Sequence, residues 1–347
     1  MTGLKDCTAW LAKRDGTVVV GHGPFVSAAE PPADGVAFYK RDFATQEEQP
    51  WQVPGSFERM DSKDFREKYG RGAIPAIQWE IPDAMPFSIV FQEIMTCIRQ
   101  GQIEKTVPVV TERGHSQAPL SASVMSAMSR QLAPLHSYGW ISGDEGFAGA
   151  TPELLFSMKG RCLETMALAG TARQDDEAVF GVDVKEIREH EYVAQTLVAK
   201  LMDLGSLDRK ERKVLRLGSI VHFLTGISVD LESAQDPKRL LRRLHPTPAL
   251  GPLPRTDETM AMLNNWRERL GCPREFGAPF GVWDQGAFEA VVAIRGLWWK
   301  GNEISLPAGC GMIEASRLVN EWRELRLKRE SVKRFLDPRE WLHSVAR

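Results

Sequence analysis

The stretch Thr151-Pro-Glu-Leu-Leu-Phe-Ser-Met-Lys-Gly-Arg-Cys-Leu-Glu-Thr-Met-Ala-Leu-Ala-Gly-Thr171 decides the fold class of this chain. It contains two apolar, strand-like runs, Glu153–Met158 and Cys162–Ala167, and an amphipathic helix is predicted soon after it, over Asp183–Leu204. Consecutive strands followed by a long helix lack the regular strand–helix alternation of a doubly wound sheet. The stretch therefore favours an α+β fold with antiparallel sheets.

The segments on either side repeat this mixture of strands and helices. Apolar residues at helical spacing predict a helix from Phe87 to near Gly101, and a hairpin is predicted between Gly281–Asp284 and Phe288–Trp299. Other strands are predicted at Thr106–Thr111 and Tyr138–Ser142, and other helices at Pro237–Leu244, Glu258–Leu270 and Leu318–Leu336. Residues 1–85 are rich in Pro and Gly, which predicts a strand-rich N-terminal portion packed on a larger domain of residues 86–347.

The composition excludes several classes of protein. The 347 residues are 43% hydrophobic with a formal net charge of −2, which is typical of a globular protein with no nucleic-acid or membrane partner. The longest apolar runs fall short of the ~18 residues that span a bilayer, and Met1–Gly16 lacks the pattern of a secretory signal. The five scattered cysteines predict free thiols and a cytoplasmic location.

Two of the predicted helices each carry a Glu-x-x-Glu pair. The pairs are Glu186 with Glu189 and Glu321 with Glu324. Residues three apart share one side of a helix, and these carboxylates flank the apolar stripe rather than oppose it. They could meet across a cleft and hold Mg²⁺. Alternatively, Glu324 and Lys328 form the kind of pair, four residues apart, that is common on solvated helices.

Two loops of small residues, one arginine and two histidines are further candidates for binding or catalytic residues. Ala169-Gly-Thr171 and Pro307-Ala-Gly-Cys-Gly311 each follow a strand, and such loops either bring backbone N–H groups close to an anion or are simply turns. Arg295 lies deep in an apolar strand candidate, so it needs an anionic partner, either an internal carboxylate or a ligand. His190 and His245 could be ligands or bases, although histidines in structural hydrogen bonds are commoner.

In their order along the chain, these segments resemble the chorismate-utilising enzymes, a family that includes isochorismate synthases, salicylate synthases and the synthase subunits for anthranilate and aminodeoxychorismate. The matching blocks are Gly101-Gln-Ile-Glu-Lys105, Thr151-Pro-Glu-Leu-Leu155, Ala169-Gly-Thr171, Lys185-Glu-Ile-Arg-Glu-His190, His245-Pro-Thr-Pro-Ala249, Ala293-Ile-Arg295, Ala308-Gly-Cys-Gly311 and Glu321-Trp-Arg-Glu324 with Lys328. Eight blocks in the family's order make the resemblance specific. It implies antiparallel sheets packed together and flanked by helices, with residues 86–347 as the chorismate-binding catalytic domain.

The resemblance also implies a metal site and a substrate site. Mg²⁺ would be held by Glu189 and Glu324, with Glu186 and Glu321 beside them. The metal would receive one chorismate carboxylate, which reconciles a slightly acidic protein with a dianionic substrate. The implied substrate-binding positions are Arg295, Gly309 and Gly311 for the other carboxylate, and Gly170, Thr171, His245, Ala249, Phe276 and Lys328 along the pocket.

Two further positions indicate the reaction that the resemblance implies. In the family pattern, the lysine at Lys105 activates water for attack at C2 of chorismate, with its pKa lowered by burial or by neighbouring cations. Glu153 protonates the leaving C4 hydroxyl, which requires a raised pKa. Members that use ammonia usually lack this lysine, and the aminodeoxychorismate enzymes carry a nucleophilic lysine where this chain has Ala169. The implied activity is therefore the Mg²⁺-dependent, reversible isomerisation of chorismate to isochorismate.

Several alternatives stay open. Salicylate synthases share these residues and then eliminate pyruvate, although Ala249 and Phe276 resemble the choices of some isochorismate synthases. An aminating synthase subunit and a non-catalytic chorismate-binding protein are two others. Chorismate is the expected partner, the chain is expected to be a monomer or a weak homo-oligomer, and the product could enter menaquinone, siderophore or salicylate synthesis. Pro108, inside the strand candidate after Lys105, predicts an edge or a bulge there.

Overall fold

The computed structural model describes residues 7–44, 47–131 and 133–336. Its strands are β1 (Cys7–Ala12), β2 (Thr17–His22), β3 (Val26–Ala28), β4 (Val36–Lys40), β5 (Trp51–Val53), β6 (Ser56–Asp61), β7 (Ile77–Trp79), β8 (Val109–Ser116), β9 (His136–Ser142), β10 (Glu145–Thr151), β11 (Leu154–Lys159), β12 (Cys162–Arg173), β13 (Gly205–Arg209), β14 (Lys213–Leu217), β15 (Ile220–Leu231), β16 (Pro279–Asp284), β17 (Ala287–Val292), β18 (Gly296–Lys300) and β19 (Glu303–Gly309). Its helices are α1 (Ser62–Tyr69), α2 (Met85–Arg99), α3 (Val124–Ser129), α4 (Glu177–Phe180), α5 (Val184–Leu201), α6 (Pro237–Leu244), α7 (Asp257–Arg269) and α8 (Leu318–Leu336).

Within these residues the strands form two antiparallel sheets. One sheet has the order β6-β2-β1-β9-β10-β18-β19-β8-β7. The other has the order β13-β15-β12-β11-β17-β16-β4-β5-β3, and β14 also pairs with β15. The predicted α+β fold with antiparallel sheets is confirmed, and the five predicted helices are present with ends that differ by at most three residues.

Aromatic side chains between the two sheets form the centre of the core. The buried ring of Phe280, from β16, lies 5.9 Å from that of Tyr138 and 5.5 Å from that of Phe147, which belong to β9 and β10 of the other sheet. Phe147 in turn stacks on Trp298 of β18 at 5.9 Å. Because a fully buried side chain of this size contributes roughly 1.5–3 kcal/mol, these contacts hold the sheets face to face.

The apolar run Phe288–Trp299 was predicted to be one strand, and this prediction was wrong. The run is divided between β17 and β18, which belong to different sheets. Between them Arg295 adopts a φ of 57°, a left-handed conformation that a β-strand does not use. Both segments are buried, so the continuous apolar composition fits two short strands as well as one. The break lets the chain cross from one sheet to the other at Arg295.

The strand predicted at Thr106–Thr111 begins later than expected. Regular pairing starts at Val109, after Pro108, whereas Lys105 and Thr106 form isolated bridges with Leu253 and Met312. Proline has no N–H to donate to a ladder, which explains why the regular strand starts after it. The backbone at Lys105 and Thr106 is thus held by two isolated bridges rather than by a sheet.

Strands from the first 85 residues take part in both sheets. β1, β2, β6 and β7 belong to the nine-stranded sheet, and β3 to β5 complete one edge of the other. The domain boundary at residue 85 stays a prediction. No helix in the described part of the chain combines the length and apolar character needed to cross a membrane.

Two helices carry the acidic pairs towards each other. α5 packs on β12 and β15 through a buried stripe that includes Val193, Leu197 and Leu201. Its first turn is fixed by Asp183, whose carboxylate accepts a hydrogen bond from the backbone N–H of Glu186 at 3.0 Å. α8 packs on β19 and also contacts β12. The Glu-x-x-Glu pairs of the two helices therefore meet beside the ends of both sheets.

Candidate active site

A cavity lies where strand ends of both sheets meet α5 and α8. Its walls include ten of the predicted site residues: Glu153, Gly170, Thr171, Glu189, Ala249, Phe276, Arg295, Gly309, Gly311 and Lys328. Apolar residues complete it, including Val107, Leu168, Leu250 and Ile294. A small cavity with convergent charged groups on an apolar lining is typical of a site for a small anionic ligand.

Glu189, which lines this cavity, forms a buried ion pair with Lys105, which is not among its lining residues in the described part of the chain. Lys105 is fully buried, and its Nζ donates to Glu189 Oε1 at 3.0 Å. Burial alone would raise the pKa of Glu189, but Lys105, Lys185 and Lys328 together lower it to about 2. Glu189 is therefore an ionised carboxylate at neutral pH.

Gly311 makes this close approach possible. A Cβ atom at this position would lie 1.8 Å from Glu189 Oε1 and 2.5 Å from Lys105 Nζ, far inside van der Waals contact. The sequence left open whether the loop Pro307–Gly311 approaches an anion closely or is simply a turn. Here the anion that it approaches is the carboxylate of Glu189.

The four predicted acidic residues come together around a lysine. Lys185 Nζ lies 2.9 Å from Glu186 Oε1, 3.4 Å from Glu189 Oε2, 3.4 Å from Glu321 Oε1 and 4.0 Å from Glu324 Oε2. Burial raises the pKa of Glu186 and that of Glu321 to about 7, although Lys185 opposes both shifts. The sequence predicted that the carboxylates meet, but it did not reveal Lys185 among them.

The carboxylate cluster suits a hard cation by its chemistry. Glu321 Oε2 is buried and has no hydrogen-bond partner within the described residues. Such an orphaned oxygen is costly unless another group satisfies it. As the side chains stand, however, the cluster is not a preassembled metal cage in the described part of the chain. The oxygens instead face lysines, including Lys328, which is 2.6 Å from Glu324 Oε1.

Arg295 is a buried cation whose hydrogen-bond partners in the described residues are neutral. Its Nη1 donates to Ser331 Oγ at 2.8 Å, and its Nη2 lies 2.8 Å from His222 Nε2. Burial lowers the pKa of Arg295 to about 10, while Glu324 and Glu153 act in the opposite direction, so it stays charged. The sequence left open whether Arg295 pairs with an internal carboxylate or with a ligand. In the described residues Arg295 makes no hydrogen bond to a carboxylate, which favours an anionic ligand.

His222 is a site residue that the sequence reasoning missed. Its Nδ1 lies 2.7 Å from the carbonyl oxygen of Gly170, so Nδ1 carries the proton and Nε2 accepts the hydrogen bond from Arg295. Burial, Arg295 and Lys328 lower the pKa of His222 well below its usual range. The signal was available, because His222 lies inside the apolar strand β15 just as Arg295 lies inside an apolar run.

Glu153 is a buried carboxyl group in the short connection between β10 and β11. Burial raises its pKa to about 7, and Lys328 and Lys105 moderate this shift. At neutral pH a substantial fraction of Glu153 is therefore protonated. A carboxylic acid in this state can donate a proton to a leaving group.

His245 lies behind the cavity wall rather than in it. Its Nε2 is 2.9 Å from the carbonyl oxygen of Phe43, and the two rings pack edge to face at 5.1 Å. Burial lowers the pKa of His245 to about 3. The loop that follows it reaches the cavity through Ala249, so the predicted contact of His245 with substrate stays a prediction. His190 likewise makes a structural hydrogen bond, at 2.8 Å to Thr225 Oγ1.

Comparisons with known proteins identify the family of this chain. Residues 41–337 match the family described as chorismate binding enzyme. The chain is 28% identical over 266 residues to the isochorismate synthase MenF of Escherichia coli (strain K12), a match that covers 74% of this chain and 61% of that protein. It is 30% identical over 256 residues to the salicylate biosynthesis isochorismate synthase of Pseudomonas aeruginosa, which covers 70% of this chain and 53% of that protein. The matches thus span between half and two thirds of the length of these relatives.

Solved structures show the same fold. The structure of MenF, the menaquinone-specific isochorismate synthase from Escherichia coli, superposes with a TM-score of 0.81 at 21% identity and covers 97% of this chain and 90% of that one. The putative 2,3-dihydroxybenzoate-specific isochorismate synthase DhbC from Bacillus anthracis superposes with a TM-score of 0.78 at 18% identity, over 96% of each chain. Since the family match covers most of the sequence, the chain belongs to the chorismate binding enzyme family.

Proposed function

We propose that this protein is an isochorismate synthase that converts chorismate reversibly to isochorismate with Mg²⁺. The observation that carries the proposal is the presence of two candidate proton-transfer groups beside one cavity: Glu153, whose pKa is raised to about 7, lines the cavity, and Lys105 is hydrogen-bonded to Glu189 of its wall. A base for water and an acid for the leaving hydroxyl are what an exchange of hydroxyl groups requires.

The charges around the cavity suit a substrate with two carboxylates. Arg295 offers a buried guanidinium whose present partners are the neutral Ser331 and His222, so a substrate carboxylate can replace one of them. His222, held neutral by its hydrogen bond to Gly170, orients the guanidinium without competing for the anion. Lys328 Nζ, which now donates to the carbonyl oxygen of Gly309 at 2.9 Å, adds a second cation at the wall.

We assign the metal to Glu189 and Glu324, with Glu186 and Glu321 beside them. When bound there, Mg²⁺ would neutralise a substrate carboxylate and stabilise negative charge that develops in the ring. Glu189 cannot serve two partners fully at once. A metal held there would compete with Lys105 for this carboxylate, and Lys105 can accept a proton from water only as the neutral amine, because an ammonium group has no free electron pair.

Lys105 and Glu153 then have separate roles in the reaction. Lys105 takes a proton from water as the water oxygen bonds to C2 of the ring. The double bonds shift, and the C4–O bond breaks as Glu153 gives its proton to the departing hydroxyl, which leaves as water. One hydroxyl is exchanged for another, so the product is an isomer of the substrate and no redox cofactor is required.

The direct test is an incubation of the purified protein with chorismate, with Mg²⁺ or with EDTA, followed by chromatography of the products. We expect a mixture of chorismate and isochorismate that stops at equilibrium and forms only with the metal, and no product from Lys105→Ala. Salicylate with pyruvate would move the protein to the salicylate synthases. An ammonia-dependent product, or saturable binding without turnover, would reject the isomerase assignment.

Three further properties stay predictions. These are a cytoplasmic location, a monomeric or weakly oligomeric state, and supply of isochorismate to menaquinone or siderophore synthesis. Size-exclusion chromatography with light scattering measures the second. Complementation of a strain that lacks its own isochorismate synthase tests the third, because growth without the end product requires isochorismate at the point of use.

A further inference from the structure

The ammonium group of Lys185 occupies the middle of the carboxylate cluster. Four carboxylates lie within 2.9–4.0 Å of its Nζ, two from its own helix α5 and two from α8. The lysine is therefore a cation placed where the acidic side chains of the two helices converge.

One ammonium cannot satisfy this many acceptors. It has three protons to donate, whereas the cluster presents eight carboxylate oxygens. Lys105, Lys328 and the backbone N–H of Thr171 each contact one of these oxygens, and Glu321 Oε2 is left buried without a partner in the described residues. A divalent cation carries twice the charge and binds oxygens at about 2.0–2.1 Å, much closer than an ammonium. The cluster is thus better matched to a divalent cation than to the lysine that it contains.

The side chain of Lys185 also lies beside a cavity into which it can move. The cluster separates the substrate cavity, which Glu189 lines, from an outer cavity lined by Lys185, Glu186, Glu321 and Glu324. The side chain of Lys185 is 19% exposed, against 1% for Glu321. Its long, flexible stem can move the ammonium into the outer cavity without a change in the helix.

We infer that Lys185 is a built-in counter-cation, which holds the carboxylate cluster together without metal and must withdraw into the outer cavity before Mg²⁺ binds. This inference rests on the metal site of the proposed function. Lys185 then has two opposite effects. It prevents repulsion among four adjacent carboxylates in the metal-free protein, and it weakens metal binding because the ammonium must first be displaced.

The test uses Lys185→Met, which keeps the length of the side chain and removes its charge. Mn²⁺ binding to the EDTA-treated, dialysed protein is measured by electron paramagnetic resonance, and Mg²⁺ binding by calorimetry. We expect the Kd for either ion to fall at least tenfold. The Tm of the metal-free variant should fall, and the rise in Tm on addition of Mg²⁺ should exceed that of the unaltered protein.

Two matched variants distinguish displacement of the Lys185 ammonium from a long-range effect of positive charge on metal binding. Arg323→Met removes a cation that lines the same outer cavity but makes no ion pair in the described residues, and its Kd should change less than threefold. Lys185→Arg keeps the charge and should bind metal no more tightly than the unaltered protein. If Lys185→Met is too unstable to purify without metal, Lys185→Gln keeps hydrogen-bond donors and removes the charge.

The outcomes distinguish this inference from the proposed function. Metal binding that is unchanged or weaker in Lys185→Met and Lys185→Gln would overturn the counter-cation role and leave the metal site intact. Absence of metal binding in the unaltered protein, together with turnover that resists EDTA, would overturn the metal part of the proposed function. Tighter binding in Arg323→Met equal to that in Lys185→Met would mean that long-range charge, not displacement, sets the affinity.

Discussion

Replacing Gly311 with alanine perturbs the proposed base and the metal site by a single methyl group. The φ of Gly311 lies outside the left-handed range, so alanine can adopt the backbone conformation without strain. The new Cβ would nevertheless lie 1.8 Å from Glu189 Oε1 and 2.5 Å from Lys105 Nζ. Both side chains are buried, so neither can move into solvent to relieve the clash.

The size of the effect follows from these distances. Glu189 Oε1 must move by about 1.6 Å to reach the 3.4 Å at which an ordinary contact begins. A misplacement of about 1 Å in a catalytic group can cost ~10²-fold in rate. We therefore expect kcat/KM for chorismate in Gly311→Ala to fall about 10²-fold or more, and metal affinity to fall with it because Glu189 is a proposed ligand.

The assay is the initial rate of isochorismate formation by chromatography, with thermal unfolding followed by circular dichroism. Gly226→Ala is the matched control, because its Cβ would meet nothing closer than Lys210 Cγ at 3.6 Å. We expect the control to keep full activity. A kcat/KM for Gly311→Ala within threefold of the unaltered protein would refute the reasoning, since the Lys105–Glu189 pair could then not be needed in its present position.

Four further predictions address other groups. Glu324→Gln should abolish Mg²⁺-dependent turnover and leave the fold intact by circular dichroism; retained turnover would remove Glu324 from the metal ligands. Arg295→Lys loses a hydrogen bond to a charged group worth roughly 1.5–3 kcal/mol, so KM for chorismate should rise roughly 10–100-fold in steady-state assays; an unchanged KM would contradict the carboxylate assignment. Because the pKa of Glu153 is about 7 and the acid must be protonated, kcat should fall about tenfold per pH unit above pH 7. A pH–rate profile of Glu153→Gln should be lower and lack this decline; a decline that persists would assign it to another group. Burial raises the pKa of Glu289 from 4.5 to about 7, because the folded protein favours the protonated form of this side chain. The free energy of unfolding therefore falls by about 3 kcal/mol as pH rises through this interval. Glu289→Gln should therefore be more stable than the unaltered protein at pH 8 and similar at pH 4.5, by chemical denaturation; equal stability at both would exclude the shift.

Local patterns along the chain were enough to predict much of the fold. Helix α5 could be predicted because its apolar residues recur at helical spacing after Asp183, and hydrogen bonds within a helix join residues near in sequence. The placement of the Glu-x-x-Glu pairs beside apolar stripes also indicated that the carboxylates lie close to a neighbouring element of the fold. The break at Arg295 could not be predicted, because composition does not distinguish one long buried strand from two short ones.

The sequence by itself therefore determined the α+β class, five of the eight helices in the described residues, and the residue types that meet at the site. Only the tertiary structure decided which groups face each other, since those contacts join distant residues. Lys105 reaches Glu189 across 84 positions, and Arg295 reaches His222 across 73. The direction in which the Lys185 side chain points depends on where the carboxylates of α8 lie, and no pattern within α5 contains that information.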